Sequence, residues 1–240
     1  MSDGRVVSFE VDGKAMSAEL FVPTSGTPIG LLLGHGAGGD RRAPLLRALG
    51  ATLQASGRAV ALYNFPYTEA GRKAPDRGPV LERAAVAAAA ELRTPLGVRS
   101  LVLGGKSMGG RIAAQVVASG QLEQVVDVRG LVFLGFPLHA AGKDDQWERR
   151  AATIRRLPPA LPLLFVQGTR DRLCRLDLLE RAASGPGGIG ADARARTRVR
   201  IHVIPDGDHS LALPRRSGRS PEDVVAEVTG VIAGWMDEIV

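Results

Sequence analysis

The chain has 240 residues, 45% of them hydrophobic and 23% charged, which is enough to bury a full core in one layered domain spanning residues 1–240. Its apolar runs, such as residues 29–33 and 86–90, stop far short of the roughly 20 residues that span a bilayer. The net charge of +6 comes from arginines scattered along the chain, with few aromatics beside them to stack on bases, so neither a nucleic-acid nor a membrane partner is expected. A single cysteine, Cys174, excludes an intrachain disulfide. With no apolar leader among the first residues, a reducing, cytoplasmic setting is expected.

Short β-rich runs alternate with helical patterns throughout, which predicts a mostly parallel sheet covered by helices on both faces. Residues 6–11 and 14–22 read as a hairpin turning at Asp12-Gly13, a favoured two-residue turn. Residues 29–33 form a buried strand that feeds a glycine-rich loop, Gly34-His-Gly-Ala-Gly-Gly39. Pro44 then suits a first helical turn, with Leu45, Leu46, Leu49 and Leu53 on one face. A strand at 59–63 precedes an alanine-rich helix from Pro79 to Leu92.

Residues 101–103 are the next strand, running straight into Gly105-Lys-Ser107-Met-Gly109 and a helical pattern. Strands at 131–134 and 163–166 follow, separated by a stretch, 140–160, with room for one or two short helices over the sheet edge. Residues 184–195, rich in glycine and alanine, suit a surface excursion. The last strand, 199–204, precedes the clearest helix: Ser220 caps it, Pro221 takes its first position, and Glu222 and Asp223 face the positive end of its dipole.

The chemistry lies in the loops that follow these strands. A G-x-S-x-G between a strand and a helix is the signature of a nucleophile elbow. The serine must sit on a strained turn, and side chains two positions away on either side would clash, hence Gly105 and Gly109. A phosphate-loop reading of Gly105-Lys106-Ser107 fails, because its first glycine would fall on Ser100 and the strand occupies the loop.

A serine hydroxyl needs a base and an orienting acid. His209, in the turn-rich loop after strand 199–204, is the preferred base; His202 lies within that strand and His139 follows another strand end, where it can line the pocket. Asp171, at the lip of the loop after strand 163–166, is the preferred acid, while Asp206 and Asp208 suit turn formation beside His209. The backbone N–H of Met108 and that of Ala37 or Gly38 are candidate oxyanion donors. His35 braces their loop. Cys174 has no elbow of its own, and the four histidines show no zinc-like spacing.

Together, His35-Gly-Ala-Gly-Gly, Gly105-Lys-Ser-Met-Gly-Gly-Arg111, Gly135-Phe-Pro-Leu-His139, Gly168-Thr-Arg-Asp171 and Gly207-Asp-His209 resemble a small α/β-hydrolase-like family. That family includes a testis-expressed protein and the third subunit of the NSL histone-acetyltransferase complex, with dienelactone hydrolases as more distant relatives. The chain departs from its pattern at Asp144-Asp-Gln-Trp-Glu148. The resemblance implies an α/β-hydrolase fold with little or no lid and a triad of Ser107, Asp171 and His209. It also implies that 135–139 borders the site.

His35, Gly36, Lys106, Phe136 and His139 are therefore expected to line the pocket. The expected function is a serine esterase acting, without cofactor or metal, on a small ester, thioester or lactone. A non-catalytic binding or scaffold protein on the same fold is the alternative.

Overall fold

The computed structural model describes residues 4–184 and 198–239. Strands β1 (Arg5–Val11) and β2 (Lys14–Phe21) form the expected hairpin. Its turn residues Asp12 and Gly13 both have positive φ, 51° and 74°, the type I′ geometry that matches strand twist.

The chain then alternates through β3 (Ile29–Gly34), α1 (Pro44–Ala55), β4 (Ala59–Tyr63), the short α2 (Pro66–Glu69), α3 (Gly78–Leu96), β5 (Ser100–Lys106) and α4 (Met108–Ala118). It continues through β6 (Asp127–Leu134), α5 (Glu148–Arg155), β7 (Leu163–Gly168), α6 (Leu176–Ser184), β8 (Val199–Ile204) and α7 (Pro221–Glu238). These strands form one eight-stranded sheet in the order β1-β2-β4-β3-β5-β6-β7-β8, in which β2 runs antiparallel to both its neighbours, β1 and β4, and all other pairings are parallel.

Side-chain alternation along the central strands divides the core into two layers. Leu32, Leu101, Leu103, Leu131, Phe133 and Phe165 face α3 to α6. Leu31, Leu33, Val60, Val102, Val132 and Leu164 face α1 and α7. Alanines 84, 85, 88 and 89 are buried on α3, so that helix packs close to the sheet. It runs four residues beyond the expected end at Leu92 and stops at Gly97 in the left-handed conformation, φ 71°. On α7 the Ser220 side chain accepts from the Asp223 N–H while Asp223 accepts from the Ser220 N–H, a reciprocal cap.

Three expectations are corrected. Strand β8, read as buried, is half-exposed along most of its length because it closes the sheet edge. Leu45 is only partly buried, whereas Leu46, Leu49 and Leu53 fill the core. Strands β5, β6 and β7 extend past their apolar runs, since glycine and polar residues at strand ends carry no hydrophobic signal. The stretch 140–160 holds a 3-10 turn and α5, as its length predicted. Residues 185–195 of the expected surface excursion lie outside the described residues. Among the described residues no helix is long and apolar enough to cross a membrane.

Candidate active site

Strand β5 delivers Ser107 to the first turn of α4 with φ 50° and ψ −107°, a region costing a non-glycine residue about 1–3 kcal/mol. The neighbours make the turn possible. A Cβ on Gly105 would lie 2.1 Å from the Gly34 carbonyl oxygen, and one on Gly109 would lie 2.2 Å from the same atom. Both glycines are thus required by the close approach of β3. Gly109→Ala is expected to lower stability by about 1–3 kcal/mol through this clash and to reduce any activity with it. An unchanged denaturant midpoint and rate for this variant would contradict the assignment.

The loops after β7 and β8 touch so tightly that a Cβ on Gly168 would lie 2.1 Å from the Gly207 carbonyl oxygen. This contact brings together residues far apart in sequence. His209 Nε2 lies 2.8 Å from Ser107 Oγ, and His209 Nδ1 lies 2.8 Å from Asp171 Oδ2. A carboxylate only accepts, so Nδ1 carries the proton and Nε2 is free to accept from the serine. The Asp171 side chain is fully buried. Asp208 accepts from the Ser210 and Ala212 N–H groups, at 2.7 and 3.0 Å, and builds the turn expected of it. His202 pairs with Glu227 on α7 at 2.7 Å, away from this chain of bonds.

Sequence reasoning missed Gln167. Its side chain is fully buried at the end of β7 and donates through Nε2 to Asp171 Oδ2 at 2.5 Å, while its Oε1 accepts from the Phe136 N–H at 2.9 Å. With Leu173 N–H on Asp171 Oδ1 at 2.7 Å, the carboxylate is held from both sides. A lone polar residue in the otherwise apolar run Leu163-Leu-Phe-Val-Gln was the available signal. Gln167→Leu strands the Phe136 donor and is expected to cost about 1–3 kcal/mol of stability, with a lower kcat. Equilibrium denaturation and initial rates check both, and wild-type values for each would contradict the role.

The loop after β3 abuts the serine: a Cβ on Gly36 would sit 3.8 Å from Ser107 Cβ. His35 braces it from a fully buried position, with Nδ1 bonded to the Gly36 carbonyl at 2.9 Å and Nε2 accepting from the Phe65 N–H at 3.2 Å. Burial lowers its pKa, which keeps the ring neutral. The Gly38 N–H already donates to Tyr67 Oη at 3.2 Å. That leaves the Ala37 N–H as the loop's candidate oxyanion donor, opposite the Met108 N–H in the first turn of α4, where no intrahelical acceptor exists.

Of the residues expected to line a pocket, His35 is fully buried within its loop, and three others are turned elsewhere. Phe136 is 1% exposed and packs against Phe133 and Phe165. His139 is buried, its Nδ1 donating to the Ala140 carbonyl at 3.0 Å and its Nε2 accepting from the Arg175 N–H at 3.1 Å. It ties the loop after β6 to the loop bearing Asp171. Lys106 directs its Nζ to the His209 carbonyl oxygen at 2.5 Å. Cys174 is buried, which pushes its thiol up to about 12 and rules it out as a thiolate nucleophile near neutral pH.

A polar cleft of about 340 Å³ adjoins Gly39, lined by Arg41, Arg42, Asn64 and Lys73. An apolar groove of about 510 Å³ adjoins Ser210, lined by Leu45, Ala48, Leu213 and Val225. Among the described residues no group of three or more His, Cys, Asp and Glu side chains is placed to hold a metal ion.

Comparison with known proteins gives a consistent picture. Residues 28–237 match the model of the alpha/beta hydrolase domain family. An α/β serine hydrolase without lid from Xanthomonas campestris superposes with a TM-score of 0.69 at 15% identity, covering 99% of this chain and 95% of that one. A dienelactone hydrolase from Anabaena variabilis gives 0.68 at 19% identity, covering 99% and 98%. A serine hydrolase homologue from Coxiella burnetii gives 0.69 at 16% identity, covering 96% of each. At these identities the likeness is one of fold, and the fold is that of the α/β hydrolases, as expected.

Proposed function

The chain belongs to the alpha/beta hydrolase family, and from that premise we propose that it is a serine hydrolase cleaving a small ester, thioester or lactone through an acyl-enzyme on Ser107. The observation that carries this reading is the continuous run Asp171–His209–Ser107, with 2.8 Å at each step. His209 Nε2 takes the Ser107 proton as Oγ attacks the acyl carbon. The N–H groups of Met108 and Ala37 receive the oxyanion. As the tetrahedral adduct collapses, the bond to the leaving group breaks and His209 returns the proton to that group. Water, deprotonated by the same imidazole, then attacks the acyl-enzyme and releases the carboxylic acid and free Ser107. Asp171 holds the ring in place and stabilises the transient imidazolium.

Two features support small, accessible substrates. Only a 3-10 turn and the short α5 lie between β6 and β7, which leaves little chain for a lid. A dienelactone hydrolase is among the structural neighbours, in keeping with the resemblance of the motifs to the testis-expressed and NSL-subunit group and its dienelactone-hydrolase relatives. The test is rapid mixing with p-nitrophenyl acetate. The expected result is a burst or steady release of p-nitrophenol with saturation kinetics. A folded protein that leaves ester, thioester and lactone substrates untouched would contradict catalysis and favour a binding protein built on a hydrolase shell.

A further inference from the structure

The last residue of β5 carries a cation for which the chemistry above has no use. Lys106 immediately precedes Ser107, and its Nζ donates to the main-chain carbonyl of His209 at 2.5 Å. Gly135, at the end of β6, makes the room. A Cβ there would lie 2.7 Å from that carbonyl oxygen, 3.4 Å from Lys106 Nζ and 3.5 Å from His209 Nδ1. The loops after β5, β6 and β8 therefore meet at one atom, the carbonyl oxygen of the base. The charged groups acting on Nζ are the carboxylates of Asp171, after β7, and Asp208, after β8, with the His209 ring beside them.

We infer that Lys106 is a positioning residue for His209: its ammonium pins the base's main chain behind Ser107, and its charge offsets the buried Asp171 carboxylate. The inference rests on the serine-hydrolase reading above. A bond from an ammonium to a carbonyl is charge-assisted and stronger than a neutral one. It fixes the backbone from which the imidazole must reach Ser107 Oγ, and a misplacement of about 1 Å at such a site costs on the order of a hundredfold in rate.

The same cation leaves a signature in pH dependence. Burial pushes the Lys106 amine down to about 8, against the opposing pull of Asp171 and Asp208. Below that pH the ammonium is present and the pin is intact. Above it the charge is lost and the bond weakens.

The experiment is p-nitrophenyl acetate hydrolysis by the full chain between about pH 5 and 10, for wild type, Lys106→Met and Lys106→Arg. Wild type is expected to lose rate as the pH passes about 8. Lys106→Met should lower kcat about 10- to 100-fold with little change in KM and lack the alkaline limb. Lys106→Arg keeps its charge across this range, so its alkaline limb should vanish while more of the rate survives. An unchanged kcat and profile in Lys106→Met overturns the inference. If that variant does not fold, an alkaline limb still near pH 8 in Lys106→Arg overturns it instead. A wild type with no hydrolysis overturns the serine-hydrolase reading and this inference together, whereas an active wild type with indifferent Lys106 variants overturns this inference alone.

Discussion

Ser107→Ala is expected to abolish ester hydrolysis, with kcat falling about ten thousand- to a millionfold, while the protein keeps its fold. The fold is expected to survive because little is built on the hydroxyl. Among the described residues Ser107 Oγ bonds to His209 alone, whereas the tight turn depends on Gly105 and Gly109 against Gly34. The Ser107 backbone is held separately, through its N–H to the Leu134 carbonyl at 3.0 Å. Alanine preserves all of that and removes only the nucleophile. Circular dichroism and a thermal melt close to wild type, together with the lost rate, are the expected pair of results. A variant that still turns over at the wild-type rate would place the chemistry elsewhere.

Asp171→Asn is the second large effect, with kcat expected to fall about ten-thousandfold. The carboxylate accepts from His209 Nδ1, Gln167 Nε2 and the Leu173 N–H. An asparagine has one acceptor oxygen and one donor nitrogen in place of two acceptors. If its oxygen keeps the Leu173 N–H, its NH₂ group takes the place of Oδ2, meets His209 Nδ1 and favours the ring's other tautomer. Nε2 then carries the proton and cannot take one from Ser107. The loss should appear in kcat far more than in KM, because no substrate contact is removed. Equal loss in both, or none, would mean that Asp171 does not orient the base.

Much of this candidate site was legible in the sequence because its residues cluster at strand ends. A short apolar run followed by glycines locates a loop on one edge of a parallel sheet, and Ser107, Asp171 and His209 each follow such a run. The strained elbow could be read from Gly105 and Gly109 for the same reason: few side chains tolerate that turn.

What could not be read depends on side-chain direction and on partners distant in sequence. Ala37 is separated from Gly38 as a donor only by Tyr67, on a different element 29 residues from Gly38. Phe136, Lys106 and His139 sit in the right loops, yet their side chains turn to the core, to the base's carbonyl and to a neighbouring loop. Gln167 looked like the end of a strand, and its role becomes visible once Phe136 and Asp171 are seen on either side of it. The exposure of β8 follows from its place at the sheet edge, which no local pattern encodes.

The most direct test of the central claim is the intact mass of the protein after treatment with a fluorophosphonate probe, on wild type and on Ser107→Ala. The account predicts a single adduct on wild type and none on the variant, because only a serine whose proton is drawn toward His209 attacks the probe readily. No adduct on folded wild-type protein, or an equal adduct on Ser107→Ala, would contradict it.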